Sequence, residues 1–463
     1  MSKRLPIYLR RFGFLLVLTF ILNSWCLLCG VLRAEEKVVP SERGLTEVEV
    51  QSEVHIDRAN ALEFQSKLPA ELYPMVRAGQ FEFVAAKSLS YSWLHDDQWR
   101  VNSGSLNLDL PLSFSSFPPN LIFPRGFLFG AAEKVLQDQE PERRASKILW
   151  NIVSHFWSQR GIRANFRLMG PDQSENRHEF RGQLARVYPH SLSASDKTSQ
   201  VFRELIRFES PSFLKDLSWL TFRFFGDEED VLWVYSPAIR AVRELTGSNR
   251  SDAMVRSVVS PDDFLVWSGK PELVEAVFDQ EALLFAPYVS TKLLTWKPTE
   301  GDCATFTLKE QIPQLAEHGL WNFENSRWPH AAGWLPSAAF FVPRQLLRLE
   351  LAPKDPYSLY GRQIIYVDKE AILPVYKFVY NRAGKLWKTV MGSFVFLASP
   401  DRKERVAFPA FNIVVDHTSS QTFVIEFDST SYCSSSVAGL EIGSFDPKQL
   451  LPGDLEKVET DKP

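Results

Sequence analysis

The sequence predicts an α+β fold: one large, curved antiparallel β-sheet with a layer of helices on one face. Three observations lead there. Six apolar, alternating segments follow one another between Arg362 and Phe427, joined by short connections with glycine and asparagine at the turns. Short turns suit antiparallel neighbours, because parallel strands need long crossovers. Further strand-like segments lie upstream, and helical periodicity is clear in few places.

In chain order, Asp57 to Arg77 has a helical pattern that Asp57 can cap, and a strand follows near Phe81. The strongest helix runs from about Glu142 to Arg160, where Ile148, Ile152 and Phe156 recur at four-residue spacing beside Leu149, Val153 and Trp157, and Gly161 offers a stop. Its wide apolar stripe is expected against the sheet. Strands are expected near Glu179 and Leu220. The stretch DVLWVYSPAIRAVREL reads as a hairpin, with strands Val231 to Tyr235 and Ile239 to Leu245 turning at Ser236 to Ala238. Proline opens a further helical pattern from Pro271 to about Phe285. The last six segments are RQIIYVD, LPVYKFVYN, KLWKTV, SFVFLAS, RVAFPAFNIVVD and TFVIEFD.

No Gly/Ser-rich or Pro-rich linker divides the chain, so residues 35–451 are expected as one domain, with 452–463 as a polar tail. Residues 1–34 have the parts of a secretory signal: Lys3, Arg4, Arg10 and Arg11, an apolar run from Phe12 to Leu32, and Ala34 before Glu35. Cleavage near Ala34 is expected, although the run approaches the roughly 20 residues that span a bilayer, which leaves a retained anchor as the alternative. Five basic residues leave with the signal, so the formal charge moves from 52 − 56 = −4 to 47 − 56 = −9. A chain this acidic, with no basic cluster, lacks the electrostatic footprint of a nucleic-acid binder. Past the signal two cysteines remain, Cys303 and Cys433, which are a candidate disulfide in an oxidising compartment or two buried thiols.

The search for chemistry finds no nucleophile elbow, zinc helix, phosphate-binding loop, dinucleotide fingerprint or calcium loop. No catalytic residue, metal site or cofactor is expected. The eight histidines are scattered without ligand spacing. Asp262-Asp263 and the run Asp227 to Asp230 are weighed as acid–base pairs, but solvated charges at turns explain them better. Aromatics are the remaining signal, with 35 Phe, 13 Trp and 12 Tyr.

Three blocks in order resemble a known family: Pro124 to Asn151, with its Ala-x-Lys-x-x-Trp-Asn helix; the hairpin from Asp230 to Leu245; and Tyr360 to Val390, with Tyr-x-Asp, a Tyr-rich strand and Gly-Lys-Leu-Trp. They resemble the periplasmic proteins of domain-of-unknown-function family 1329, which share a broad superfamily with the carriers and acceptors of bacterial lipoproteins. Arg243-Glu244 departs from the pattern, where a third basic residue is expected. The resemblance implies a lipoprotein-carrier-like half-barrel in the periplasm, with association with the outer membrane as an alternative, whose apolar concave face binds acyl chains. Trp233, Tyr235, Trp267, Tyr366 and Trp387 are then candidates to line the cavity, and Arg240 and Arg243 candidates to meet a headgroup or partner. The function expected is a non-enzymatic carrier for a lipid or lipoprotein acyl chain. The alternatives are an envelope assembly protein, accessory to an exporter of the resistance-nodulation-division type, and an unrecognised exported hydrolase.

Overall fold

The computed structural model describes residues 53–89, 110, 128–157, 161–171, 177–188, 199–226, 228–298, 303–312, 339–398, 405–433 and 444–451. The signal segment and the end of the tail lie outside them.

The strands are β1 (Val54–Ile56), β2 (Phe83–Ala85), β3 (Gly161–Pro171), β4 (Arg177–Val187), β5 (Gln200–Ser210), β6 (Ser218–Phe224), β7 (Val231–Ser236), β8 (Ala241–Thr246) and β9 (Val274–Tyr288). They continue as β10 (Leu294–Thr295), β11 (Lys297–Pro298), β12 (Cys303–Thr307), β13 (Phe340–Pro353), β14 (Arg362–Asp368), β15 (Leu373–Tyr380), β16 (Leu386–Ala398), β17 (Arg405–Asp416) and β18 (Gln421–Cys433). Thirteen of them form one antiparallel row, in the order β8–β7–β6–β5–β4–β3–β18–β17–β16–β15–β14–β13–β9. The short strands pair alongside this row. The expected large antiparallel sheet is therefore present.

β8 and β9 are consecutive in sequence and stand at opposite ends of the row. Residues 247–273, here called the strap, must therefore travel from one edge of the sheet to the other. They do so as irregular chain with three isolated 3-10 turns.

The long helix spans Pro141–Trp157 and packs on β9, β15 and the turn Pro271–Leu273. Ala145, Ile148, Leu149, Trp150, Ile152 and Val153 are buried, as its apolar stripe requires; the side chain of Phe156 lies outside the described set. Burying each large one contributes about 1.5 to 3 kcal/mol. The Ala-x-Lys-x-x-Trp-Asn pattern now has a physical meaning. Lys147 pairs with Asp138 at 2.6 Å, and Trp150 stacks on Phe225 at 5.8 Å. Asn151 accepts from the Phe129 N–H at 2.9 Å and donates to the Gly130 carbonyl at 2.9 Å.

Four sequence expectations are corrected. Pro271 to Phe285 is a single 3-10 turn followed by strand β9, because fourteen ladder pairings with β13 outweigh the helix propensity of its Glu, Ala and Leu residues. Asp57 to Arg77 breaks into a 3-10 turn, Ala61–Lys67, and a short helix, Tyr73–Arg77. Leu68 is extended there because it precedes Pro69. KLWKTV and SFVFLAS form one strand, β16, with Gly392 in its interior and no turn between them. The hairpin β7–β8 pairs Val231 with Thr246 and Ser236 with Ala241, so its turn is Pro237 to Arg240, with Arg240 in the left-handed region at φ 49°.

Candidate binding site

Cross-strand register puts one set of side chains on one face of the sheet, from β15 to β6: Lys377, Lys388, Asn412, Phe166, Arg186, Glu204 and Thr221. The strap lies across this face. At the β15–β16 end, Asp263 is fully buried and receives Lys377 Nζ at 2.7 Å and Lys388 Nζ at 3.1 Å. Tyr360 donates to Oδ1, the oxygen that Lys377 meets, at 3.0 Å, and Ser260 donates to Oδ2, the oxygen that Lys388 meets, at 2.9 Å. Asn412 donates to the Asp263 carbonyl at 3.0 Å, and Lys377 to the Asp262 carbonyl at 2.7 Å. Mid-face, Phe264 meets Phe166 edge-on at 5.5 Å, and Val266 sits over Gly392, where a Cβ would stand 2.1 Å from its Cγ2. The same Cβ would stand 2.9 Å from Asn412 Oδ1, so a larger residue at position 392 requires the strap or the sheet to shift.

At the β4–β6 end the contacts are ionic again. Arg223 donates to Asp230 at 2.7 Å and to the carbonyls of Ser268 and Gly269 at 2.9 and 2.7 Å. Arg250 pairs with Asp262 at 2.8 Å and donates to Thr221 at 3.1 Å. Arg186 pairs with Glu204 and donates to Ser268 Oγ at 3.2 Å.

Burial alone would raise the Asp263 carboxyl, but the charges of Lys377 and Lys388 hold it well below the usual carboxylate range. The same opposition, against Arg223 and Arg250, keeps Asp230 low. Burial pushes the Tyr360 hydroxyl far up, and Asp263 adds to that, so Tyr360 acts as a neutral donor. Glu272, near the strap's end, is pushed up to about 7 by burial, with one oxygen accepting from the Gly226 N–H at 3.1 Å. These interiors correct the expectation of solvated acids: Asp263 and Asp230 are buried partners of cations. Among the described residues no cluster of His, Cys, Asp and Glu is arranged to hold a metal.

A model of the family described as "Protein of unknown function (DUF1329)" matches residues 55–450. The chain belongs to the DUF1329 family. No curated protein matches it. Among solved structures it is similar to a putative outer membrane lipoprotein-sorting protein domain from Vibrio parahaemolyticus, at 15% identity and a TM-score of 0.44 over 67% of this chain and 100% of that one. A DUF1329 family protein from Desulfovibrio piger gives 13% identity and a TM-score of 0.42 over 66% and 100%. A LolA superfamily protein from Nitrosomonas europaea gives 13% identity and a TM-score of 0.35 over 67% and 98%.

The structure of this DUF1329 chain does not bring the five aromatic candidates together. Trp267 lies on the strap, buried in the main core, and Trp387 donates to Asp416 at 2.9 Å beside Tyr360. Tyr366 points to the opposite face from Lys377 and donates to Glu71 at 2.9 Å. Trp233 and Tyr235 also face away from the strap, in a smaller cluster with Phe222, Phe445 and Leu450. Arg240 and Arg243 are exposed, at the hairpin turn and on β8. Cys303 and Cys433 are direct partners across β12 and β18.

Sequence reasoning overlooked Lys377, Lys388, Arg186, Glu204 and Arg223. A signal was available: each interrupts an otherwise apolar strand face, where a charge is costly unless partnered. So was the strap itself, since a long stretch without periodicity inside a compact domain is unusual and often functional.

Proposed function

We propose that this is an exported, non-enzymatic binding or carrier protein for a hydrophobic ligand, a lipid or lipoprotein acyl chain, in the cell envelope. The observation that supports it is the nature of the cover on the sheet. The strap is held by side-chain ion pairs, Asp263 to Lys377 and Lys388 at one end and Arg250 to Asp230 and Glu204 at the other, by Arg223 donating to the Ser268 carbonyl and by packing, and by none of the ladder pairings that build the row. It also carries Val255, Arg256, Leu265 and Val266 at φ between 47° and 69°, a region that costs side-chain-bearing residues on the order of 1 kcal/mol or more each. Such a cover can lift without unpairing a strand. Beneath it lie Phe166, Leu168, Leu184, Ile206 and Phe208, which offer a continuous apolar surface to an acyl chain. Trp267 travels with the strap and is the aromatic best placed to respond to a ligand.

Native mass spectrometry of gently purified protein, followed by uptake of a fluorescent phospholipid after delipidation, tests the reading. Co-purified lipid or saturable uptake is expected, with Trp267 emission changing on uptake. A preparation that neither carries nor takes up lipid overturns it.

A further inference from the structure

When the strap lifts, as the carrier reading requires, the charges beneath it are left unequal at its two ends. At the β4–β6 end the sheet balances itself: Arg186 pairs with Glu204 and Arg223 with Asp230, and none of the four belongs to the strap. At the β15–β16 end it does not. Lys377 and Lys388 are fixed on neighbouring strands with side chains 0% and 2% exposed, and the carboxylate that neutralises both, Asp263, belongs to the strap. Among the described residues no other carboxylate lies within ion-pair distance of either ammonium group. Asp416, the register partner of Lys388, is turned instead to the Trp387 indole at 2.9 Å and to the N–H groups of Thr418 and Ser419 at 2.7 and 2.9 Å.

What remains on the fixed part of the molecule is a cradle that fits an oxyanion, because it already holds one. Lys377 Nζ meets one oxygen of the Asp263 carboxylate at 2.7 Å and Lys388 Nζ the other at 3.1 Å, while the Tyr360 hydroxyl donates to the first at 3.0 Å. Tyr360 lies outside the strap, with the two ammonium groups 5.6 and 5.4 Å from its ring centroid, and the Trp387 ring is 4.9 Å from Lys388 Nζ. Those aromatic faces help to keep the cations in place when their anion departs. Two ammonium groups on an apolar sheet face are costly without an anion between them. Beside the cradle, Gly392, Asn412, Ile425 and Leu168 are successive register partners that lead from β16 to the apolar surface of β3 and β4. We propose that Lys377, Lys388 and Tyr360 bind the oxyanion head of the ligand, a carboxylate or phosphate, in place of Asp263, with its acyl chain laid along this row toward β4. The inference rests on the carrier reading and gives its ligand class as an anionic amphiphile. The chain has a formal charge of −4, so a preference for anions has no source in its net charge.

Native mass spectrometry of protein recovered from cells and delipidated tests this with monooleoylglycerol, oleate and oleoyl lysophosphatidate below their micellar concentrations, and with inorganic phosphate alone. Wild type is expected to prefer oleate or the lysophosphatidate to monooleoylglycerol by roughly tenfold or more, and the better of the two identifies the head. The triple variant Asp263→Asn, Lys377→Met, Lys388→Met removes the ion pairs together and should bind the three oleoyl probes equally. Asp263→Asn alone removes the competing carboxylate and should raise the preference above that of wild type. A merely structural role for these residues would change affinity for charged and uncharged probes alike. Circular dichroism checks folding, and the triple variant carries the test if the single one does not fold. Equal wild-type binding of charged and uncharged probes, or a preference that survives in the triple variant, overturns the inference and leaves the carrier reading standing. Uptake of no oleoyl probe overturns both. Inorganic phosphate that binds as tightly as the lysophosphatidate shows a site for a free anion and overturns the amphiphile.

Discussion

Lys377 and Asp263 form an ion pair of 2.7 Å in which both side chains are fully buried, one on a central strand and the other on the irregular chain that crosses the sheet. Lys388 adds a second cation at 3.1 Å from the same carboxylate.

Removing the carboxylate leaves two buried cations without their anion. Asp263→Ala should destabilise by about 3 to 5 kcal/mol, whereas replacing Asp263, Lys377 and Lys388 together by apolar residues of similar volume should cost far less. Urea denaturation of the two variants measures the difference. Equal losses would mean that packing of the strap, rather than charge pairing, dominates.

Glu272 sets a pH dependence of known sign. Its carboxyl is raised by burial to about 7 from an ordinary value of 4.5, so the folded state holds its proton more tightly than the unfolded state does. Its contribution is fully present below pH 4.5 and is lost as pH rises through 7. Glu272→Gln should therefore be more stable than wild type above pH 7, by about 3 kcal/mol at most, and should flatten the stability profile between pH 5 and 8. Melting curves across that range check it.

Gly392→Val places side-chain atoms where Val266 already sits. Overpacking of this kind costs about 1 to 3 kcal/mol. The strap, held by fewer constraints than the ladder, should yield first, so limited proteolysis should cut within 254–267 before any strand. Unchanged cleavage would show that the sheet gives way instead.

Cys303 and Cys433 are direct register partners on antiparallel strands, a spacing that suits a disulfide. At Cys303 and Cys433, protein recovered from an oxidising compartment should take up no thiol-directed mass tag until it is reduced. Cys433→Ser should then lower stability by up to about 4 kcal/mol under oxidising conditions and have little effect under reducing ones.

Asn151→Ala removes the acceptor for the buried Phe129 N–H. A loss of about 1 to 3 kcal/mol is expected, measured by thermal unfolding.

Local pattern made much of this molecule legible in the sequence. The period of the long helix named its buried residues, and alternation with short turns between Arg362 and Phe427 named a run of antiparallel neighbours. Both signals are carried by residues close in the chain. For Cys303 and Cys433 the sequence offered only a count of two past the signal; that they stand opposite one another across β12 and β18 is a matter of strand register. The same local reading failed at Pro271 to Phe285, where helix-forming residues become a strand because β13 supplies a partner from more than fifty residues away. It failed at Gly392 for a related reason: a glycine that looks like a turn in one dimension is a seat for Val266 in three.

The sequence by itself determined the class of fold and the burial of its apolar stripes, because hydrophobic period acts over a few residues. It could not order the strands, and strand order is what sends residues 247–273 from one edge to the other. Only that crossing turns Asp263 and Asp230, which read as solvated acids in turns, into buried partners of Lys377, Lys388, Arg223 and Arg250. It also separates Trp233, Tyr235 and Tyr366 from Trp267, because the face a strand residue takes is a property of the strand, while what covers that face is set by distant chain. The physical reason is desolvation: whether a charge is free or paired depends on which segment excludes water from it, and that is decided by tertiary structure alone.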